Sequence, residues 1–153
     1  MSNYKKPSNK KTKVTNNIEK AIEIALKEHT GQKEKAGAPY IFHCLRIMLK
    51  GKTKEEQIAG VLHDTVEDTK ITFDDLRAAG FSDDIIEAVD CLTKRKYEQY
   101  ENYISRVLSN KIAIKVKLHD LEDNMNLLRL KEIKEKDIKR LNKYIDTYNK
   151  IKY

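Results

Sequence analysis

The sequence is most informative at residues 62–69, which read Leu-His-Asp-Thr-Val-Glu-Asp-Thr. This stretch combines imidazole and carboxylate side chains, two ligand types that borderline divalent metal ions accept together. A helix is predicted to begin shortly before it, because Thr53 and Glu56 have the spacing of a capping box. Ile58 and Val61 continue an apolar helical pattern toward the stretch. The sequence therefore predicts a helix that presents metal-binding side chains.

Four polar side chains of this stretch are expected to form two columns on the predicted helix. Residues four apart share a helical face, so His63 would stack on Glu67 and Asp64 on Asp68. Both columns would then point at one locus. An exposed acidic helix end is the alternative interpretation of Glu67 and Asp68. The helix dipole disfavours acids at a helix C-terminus, so their presence there needs another reason. This favours a functional role for Glu67 and Asp68.

Two ligands do not complete a metal site, and other helices have to supply the rest. His43 and Asp120 are the candidates for a second imidazole and a second carboxylate. His119 adjoins Asp120, and the residue pattern alone leaves open which of the two is the ligand. A bound metal ion makes hydroxide available near neutral pH, and Glu67 or Asp68 could position or deprotonate the attacking water. This pattern predicts hydrolysis of a phosphate ester.

The rest of the chain also has the pattern of helices. Only 5 of the 153 residues are glycine and 2 are proline, which favours helices over a turn-rich sheet. A stretch of apolar residues at 112–118 could be a short strand taken alone, but its length favours a helix through Leu130. Caps at Thr72 and Ser82 predict short helices after residue 69. Apolar spacing predicts helices at residues 18–29, 82–92, 97–108, 112–130 and 138–151, and Pro39 and Gly51 mark the start and the end of one at residues 39–51. We expect one compact, all-α, multi-helix bundle.

The net charge of +7 is concentrated at the N-terminus. Five lysines precede the first acidic residue, Glu19, so the remainder carries only 7 − 5 = +2. Such a run, mixed with Ser, Asn and Pro, is typical of a solvated tail rather than of a nucleic-acid-binding arm. We predict a basic, disordered tail at residues 1–15 and one domain at residues 16–153. A nucleic-acid partner is not favoured.

The cysteine content and the hydropathy indicate a location. Cys44 and Cys91 lie among apolar residues, without the spacing of a metal site or the density of a disulfide scaffold. No apolar stretch has the length of a signal peptide or of a membrane span. We therefore expect a cytoplasmic protein without a membrane partner, and the sequence leaves open whether it forms an oligomer.

The motifs resemble those of HD-superfamily phosphohydrolases, specifically the hydrolase domain of RelA/SpoT enzymes and their small stand-alone relatives. The resemblance covers about residues 18–148 and runs through five ordered blocks. The blocks are residues 29–32 (His-Thr-Gly-Gln), 37–43 (Gly-Ala-Pro-Tyr-Ile-Phe-His), 62–69, 89–94 (Val-Asp-Cys-Leu-Thr-Lys) and 116–124 (Val-Lys-Leu-His-Asp-Leu-Glu-Asp-Asn).

This resemblance implies a function and a role for particular residues. The implied metal ligands are His43, His63, Asp64 and Asp120, which makes Asp120 rather than its histidine neighbour the ligand, and the implied metal is Mn²⁺. Glu67 and Asp68 would act on the attacking water. Asn124 matches a residue that contacts the nucleotide. The implied reaction removes the 3′-pyrophosphate from the alarmone (p)ppGpp, and the length of the chain implies degradation without synthesis.

Three departures from the family pattern bear on the substrate. Glu34 stands where alarmone hydrolases usually have an arginine, and it is followed by the expected Lys35. Leu121 and Leu127 stand where the family often has polar residues. These changes leave the implied metal ligands intact but remove expected polar contacts to the nucleotide.

The phosphates of a nucleotide substrate need basic partners. Lys33, Lys35, Lys94 and Arg95 are the nearest candidates, although each would also fit a solvated surface. Besides (p)ppGpp, two alternatives remain open at this point. One is another phosphorylated nucleotide or dinucleotide, which Glu34 favours. The other is a metal-binding interaction module without turnover, against which the intact Glu67 and Asp68 argue.

Overall fold

The computed structural model describes residues 13–153, which fold into α-helices without a β-sheet. The predicted all-α class is confirmed. Within these residues the only β-type pairing is one antiparallel bridge between Lys33 and Pro39. Among residues 13–153 we find no α-helix with the length and the apolar content that a membrane span requires. The helices are α1 (Ile18–Glu28), α2 (Ile41–Lys50), α3 (Lys54–Leu62), α4 (Thr65–Asp68), α5 (Phe73–Ala78), α6 (Asp83–Leu92), α7 (Tyr100–Leu108), α8 (Lys111–Asn124) and α9 (Glu135–Lys152), with a 3₁₀ turn at Leu127–Arg129.

The start of the described chain is attached to the bundle. Residues 1–12 of the predicted basic tail lie outside the described residues. Within the described part, the backbone N–H of Thr15 donates to the carbonyl of Gly80 at 2.9 Å. Asn16 and Ser82 exchange two further hydrogen bonds, and Asn17 caps α1 through the N–H of Lys20.

Helix α3 lies at the centre of the bundle, where it packs against α1, α2, α6 and α8. Its last five residues, from Ile58 to Leu62, are all buried. Gly60 permits the close approach of α2, because a Cβ atom at this position would lie 3.3 Å from Ile47 Cγ2 and from the backbone of Met48. The turn that follows α3 therefore projects from the middle of the core.

The continuous helix that we predicted through residues 62–69 is wrong. Helix α3 ends at Leu62, and α4 begins at Thr65. Two side chains bind carbonyls that a continuing helix would use: His63 Nδ1 lies 2.6 Å from the Gly60 oxygen, and Thr65 Oγ1 donates to the Leu62 oxygen at 2.7 Å. The predicted columns of side chains do not form on one helix, and His63 and Asp64 instead share a turn.

The long helix predicted for residues 112–130 is also interrupted. Helix α8 ends at Asn124, whose side-chain amide donates to the Asp120 carbonyl at 3.0 Å. The side chain of Asn126 then caps the 3₁₀ turn by accepting from the N–H of Leu128 at 3.1 Å. Arg129 returns to the end of α8 and donates to the Asp123 carbonyl at 2.7 Å. Side chains again replace the helical backbone bonds.

A short loop before α2 covers one end of the bundle. Helix α2 begins at Ile41, two residues after the predicted start, because Pro39 belongs to the loop and pairs with Lys33. The N–H of Glu34 donates to Ala38 at 2.8 Å, and the chain reverses at Gly37 with a φ of 96°. The loop at residues 32–40 is therefore fixed by its own backbone.

Two residues of α2 provide a matched test of the packing. Ile47 is 0% exposed in the core, whereas Leu49 is 73% exposed on the outer face of the same helix. We expect Ile47→Ala to lower the free energy of unfolding by about 2–5 kcal/mol, because it removes buried methyl groups and leaves a cavity. Leu49→Ala should change it by less than about 0.5 kcal/mol. Urea denaturation of both variants tests this, and equal effects would place Ile47 outside the core.

Candidate active site

Four side chains from three parts of the fold converge on one point. His43 comes from α2, His63 and Asp64 from the turn after α3, and Asp120 from α8. His43 Nε2 lies 3.3 Å from His63 Nε2 and 3.1 Å from Asp120 Oδ1. His63 Nε2 lies 2.9 Å from Asp64 Oδ2 and 3.6 Å from Asp120 Oδ1. The structure brings together all four residues predicted as metal ligands.

The hydrogen bonds of the two histidines determine which atoms face this point. His43 Nδ1 lies 2.7 Å from Asp123 Oδ2, and His63 Nδ1 lies 2.6 Å from the Gly60 carbonyl oxygen. Both partners can only accept, so each Nδ1 carries a hydrogen. In a neutral imidazole the lone pair is then on Nε2. Four hydrogen-bond acceptors therefore face one another, and this arrangement requires a cation or additional protons.

Without a cation, protons on the imidazoles balance the carboxylates. Although burial opposes the charged form, the hydrogen bonds to Asp120 and Asp123 raise the pKa of His43. Burial likewise opposes charge on His63, but the negative charge of Asp64 raises its pKa well above the usual value. For Asp64, burial works against ionisation, while the charge of His63 lowers its pKa to about 2. Two protonated imidazoles together carry the same +2 charge as one divalent ion. The four side chains therefore fit a divalent metal.

Neighbouring side chains hold the two carboxylates in place. The hydroxyl of Tyr40 donates to Asp64 Oδ2. Lys117 Nζ lies 2.8 Å from Asp120 Oδ2, and the Asn124 amide donates to Asp120 Oδ1 at 2.8 Å. Burial raises the pKa of Asp120, but the charge of Lys117 and the two histidines outweigh it, so its pKa is well below the usual range. Asp120 therefore stays ionised beside the histidines.

Glu67 and Asp68 lie beside this cluster on α4. Carboxylate oxygens of Asp64, Glu67 and Asp68 lie within 4.8 Å of one another. Glu67 accepts a hydrogen bond from the backbone N–H of Lys94. Partial burial, followed by the charge of Asp64, raises the pKa values of both acids, although the Lys94 bond opposes this at Glu67. A raised pKa suits a group that accepts a proton near neutral pH.

A cavity of about 350 Å³ opens in front of the cluster. One wall contains His43, Asp64 and Asp120 together with the acids of α4. A basic part of the wall comes from the loop before α2, the 3₁₀ turn and α9. Its cationic residues are Lys33, Lys35, Arg129 and Arg140. The same cavity thus offers acceptors for a metal and cations for a phosphorylated ligand.

Only some of the predicted substrate-binding residues line the cavity. Lys35 and Asn124 line the cavity, whereas Lys94 is not among the residues that line it and reaches the site through its backbone N–H. Arg95 pairs with Asp90 at 3.4 Å. His119, which sequence left as an alternative ligand, lies 3.8 Å from Glu122 and is not among the residues that line the cavity.

Several residues of the site were missed by sequence reasoning. Arg140 and Tyr144 on α9 line the cavity, although their helix was interpreted only as a closing amphipathic segment. Tyr40 and Lys117 lie within the recognised blocks and contact Asp64 and Asp120. Each precedes an expected ligand by three residues, and this spacing was the available signal. A lysine three residues before a carboxylate on a helix shares its face.

The three departures from the family pattern have different consequences. Leu121 is 1% exposed in the core and therefore does not face the cavity. Leu127 belongs to the 3₁₀ turn and is not among the cavity-lining residues. Glu34 does line the cavity, where it pairs with Arg46. Only Glu34 changes the wall that would meet a substrate.

Known proteins resemble this chain in sequence and in fold. No protein-family model matches it. A guanosine-3′,5′-bis(diphosphate) 3′-pyrophosphohydrolase from Aquifex aeolicus is 37% identical over 123 residues, covering 72% of this chain and 18% of the relative. A GTP pyrophosphokinase from Streptomyces coelicolor is 31% identical over 150 residues, covering 90% of this chain. The chain spans 18% of the length of each of these relatives.

A solved structure also shares the architecture. It is described as a metazoan ortholog of SpoT that hydrolyses ppGpp and plays a role in starvation responses. The TM-score is 0.72 at 20% sequence identity, and the match covers 96% of this chain and 87% of the other. This likeness shows a common fold.

The raised pKa values of the two histidines predict that metal affinity depends on pH. Because the pKa values of His43 and His63 are raised above the usual value of about 6.5, protons compete with a metal ion into the neutral range. We expect a divalent ion, with Mn²⁺ as the probe, to bind more tightly as the pH rises from about 6 to about 8, with release of protons. Calorimetry in buffers of different protonation enthalpy measures both effects. An affinity that stays constant over this pH range would contradict a competition between protons and the metal ion.

Proposed function

Since this chain is a RelA/SpoT-like HD hydrolase domain in sequence and fold, we propose that it is a metal-dependent phosphohydrolase that removes the 3′-pyrophosphate from (p)ppGpp. Water and ppGpp would give GDP and pyrophosphate. The observation that carries this proposal is the convergence of four acceptor groups, three of them on buried residues, beside a cavity with a basic wall. A nucleotide substrate also agrees with the expected cytoplasmic location.

We assign the metal to His43, His63, Asp64 and Asp120, with Mn²⁺ as the expected ion. Imidazole and carboxylate ligands suit Mn²⁺, Fe²⁺ and Zn²⁺, and four protein ligands leave positions for water and substrate. A divalent ion held there would supply Lewis acidity, which polarises a phosphoryl oxygen and makes a nearby water easier to deprotonate. The bonds from Tyr40 and Lys117 would keep both carboxylates aimed at the ion.

Glu67 and Asp68 would act on the attacking water. Both side chains lie within reach of Asp64, and their raised pKa values bring them closer to the working pH of a general base. The Lys94 N–H fixes one oxygen of Glu67, which leaves the other oxygen free to accept a proton from water. This pair argues against an interaction module without turnover.

The basic wall would bind the phosphates of the substrate. Partial burial and the positive charge of Arg140 lower the pKa of Lys35, so two cations lie close together there. An anion between them would relieve this repulsion. Asn124, Arg140 and Tyr144 line the same cavity and could contact the nucleoside. Lys94 remains a predicted substrate contact from sequence.

A second substrate is favoured by one observation. Glu34 lies in the cavity wall at the position of the usual family arginine, so the contact expected from that arginine is absent. Another phosphorylated nucleotide or dinucleotide would use the same metal site with different contacts to the base. The chemistry would be unchanged.

A substrate panel separates these two proposals. Purified protein with Mn²⁺ is incubated with ppGpp, pppGpp, NADPH and common nucleotides, alongside Asp64→Ala. We expect pyrophosphate release from ppGpp that disappears in the variant, because Asp64 is an assigned ligand. Turnover of another member alone would replace the substrate. Full activity of Asp64→Ala would contradict the assigned metal site.

Glu67→Gln tests the proposed general base. The amide keeps the shape of the side chain but cannot accept the proton, so we expect kcat to fall by roughly 10²–10⁴-fold while Mn²⁺ still binds. Glu87→Gln on the exposed face of α6 is the matched control. A kcat within about twofold of the parent protein would exclude Glu67 from the proton transfer.

Lys35→Ala tests the basic wall. Loss of a charge-assisted contact to phosphate is worth about 1.5–3 kcal/mol, so KM for ppGpp should rise by roughly 10–100-fold with little change in Mn²⁺ affinity. Lys27→Ala, which alters a lysine outside the cavity, should leave KM unchanged. An unchanged KM in Lys35→Ala would mean that the phosphates bind elsewhere.

A further inference from the structure

We propose that Glu34 and Arg46 are positioning residues that act through Asp123 to hold the imidazole of His43 toward the metal. This proposal rests on the proposed metal-dependent function, but it concerns residues that the metal would not touch. It also gives Glu34 a role of its own in place of a missing nucleotide contact.

Asp123 is the residue that fixes His43. Its Oδ2 lies 2.7 Å from His43 Nδ1, and it is only 4% exposed. The carboxylate requires a hydrogen on Nδ1, so it selects the tautomer whose Nε2 lone pair faces the ligand cluster. Such carboxylate–histidine pairs orient the ring and increase its basicity as a ligand. Asp123 is itself absent from the cavity wall.

Arg46 in turn fixes Asp123. Its Nε donates to Asp123 Oδ1 at 2.7 Å and its Nη2 to Oδ2 at 3.0 Å, so the guanidinium binds the carboxylate through two parallel bonds. Burial raises the pKa of Asp123, but the bonds from His43 and Arg46 lower it far below its usual value. Arg46 follows His43 by three residues on α2, and this spacing puts both side chains on one face. The contact therefore joins α2 to α8 behind the metal ligand.

Glu34 completes the series from the loop at residues 32–40. Its side chain is 9% exposed, and its Oε1 accepts a hydrogen bond from Arg46 Nη2. Acid and imidazole atoms of Glu34, His43 and Asp123 lie within 4.8 Å of one another, and the guanidinium of Arg46 donates to both acids. Glu34 thus restricts the guanidinium to the orientation that Asp123 needs.

The same contact explains how an acidic side chain can lie in a wall that would bind phosphate. Glu34 directs its charge at Arg46, and Arg129 adds a second cation 3.2 Å from Asp123. The two arginines balance the two acids. An anionic substrate therefore meets a neutralised Glu34 rather than an isolated negative charge.

Mn²⁺ affinity measured by calorimetry without substrate tests the proposal. We expect Asp123→Asn to weaken binding by roughly 10–100-fold, the usual effect of losing such a partner. Glu34→Gln and Arg46→Lys should weaken it in the same direction by a smaller factor, because each acts through the next residue. Glu122→Gln is the matched control, since Glu122 adjoins Asp123 but pairs with Lys50 on the outside of α8.

Two readouts distinguish positioning from the other roles. If Glu34 positions His43, Glu34→Gln weakens Mn²⁺ binding measured without substrate and changes the imidazole ¹⁵N signals of His43. If Glu34→Gln instead leaves Mn²⁺ affinity and the His43 signals unchanged, the proposal is overturned.

The proposal and the proposed function fail in different ways. Weakened Mn²⁺ binding in the variants of a protein that does not hydrolyse ppGpp would refute the substrate and retain the positioning role. Hydrolysis of ppGpp with an unaltered Mn²⁺ affinity in all three variants would retain the function and refute the positioning role. Circular dichroism of Glu34→Gln, the mildest change, tests whether the variant keeps the fold.

Discussion

The structure depends on one electrostatic constraint, which is that lone pairs of four groups face one another inside the bundle. Two imidazole nitrogens and two carboxylate oxygens lie about 3–4 Å apart, and the other nitrogen of each histidine is committed to an acceptor. Buried acceptors without donors are costly. A divalent cation, or protons in its absence, has to satisfy them. The surrounding contacts to these side chains follow from keeping this arrangement in place.

The bundle provides the arrangement by interrupting helices at the site. Helix α3 is buried by four neighbours, so the turn at its end emerges inside the core rather than at the surface. A continuing helix would separate His63 and Asp64 by about 100° around its axis. The turn instead brings both side chains to one point. Helix α8 similarly ends at Asn124, so Asp120, Asp123 and Asn124 lie in its last turn and a half. The chain then reverses, which brings Arg129 and α9 to the cavity.

Much of this could be predicted from sequence, because the relevant signals are local. Apolar spacing and caps predicted the helices of the bundle, and the density of histidine and carboxylate residues at 62–69 pointed to side chains that the structure brings into one cluster. The end of α3 could not be predicted, because it depends on His63 and Thr65 competing for backbone carbonyls. The link between Glu34 and Asp123 joins residues 89 positions apart through Arg46, and neither helical spacing nor a motif reveals such a contact. Glu34 was therefore interpreted as a lost contact.

The most direct test of this account is a crystal structure of the protein soaked with Mn²⁺, with data collected to locate the ion by anomalous scattering. We expect one strong peak at roughly 2.0–2.3 Å from His43 Nε2, His63 Nε2 and a carboxylate oxygen each of Asp64 and Asp120. The Nδ1 atoms of both histidines should keep their present partners. A peak that avoids these four atoms, or an empty cluster in a crystal that binds Mn²⁺ elsewhere, would contradict it.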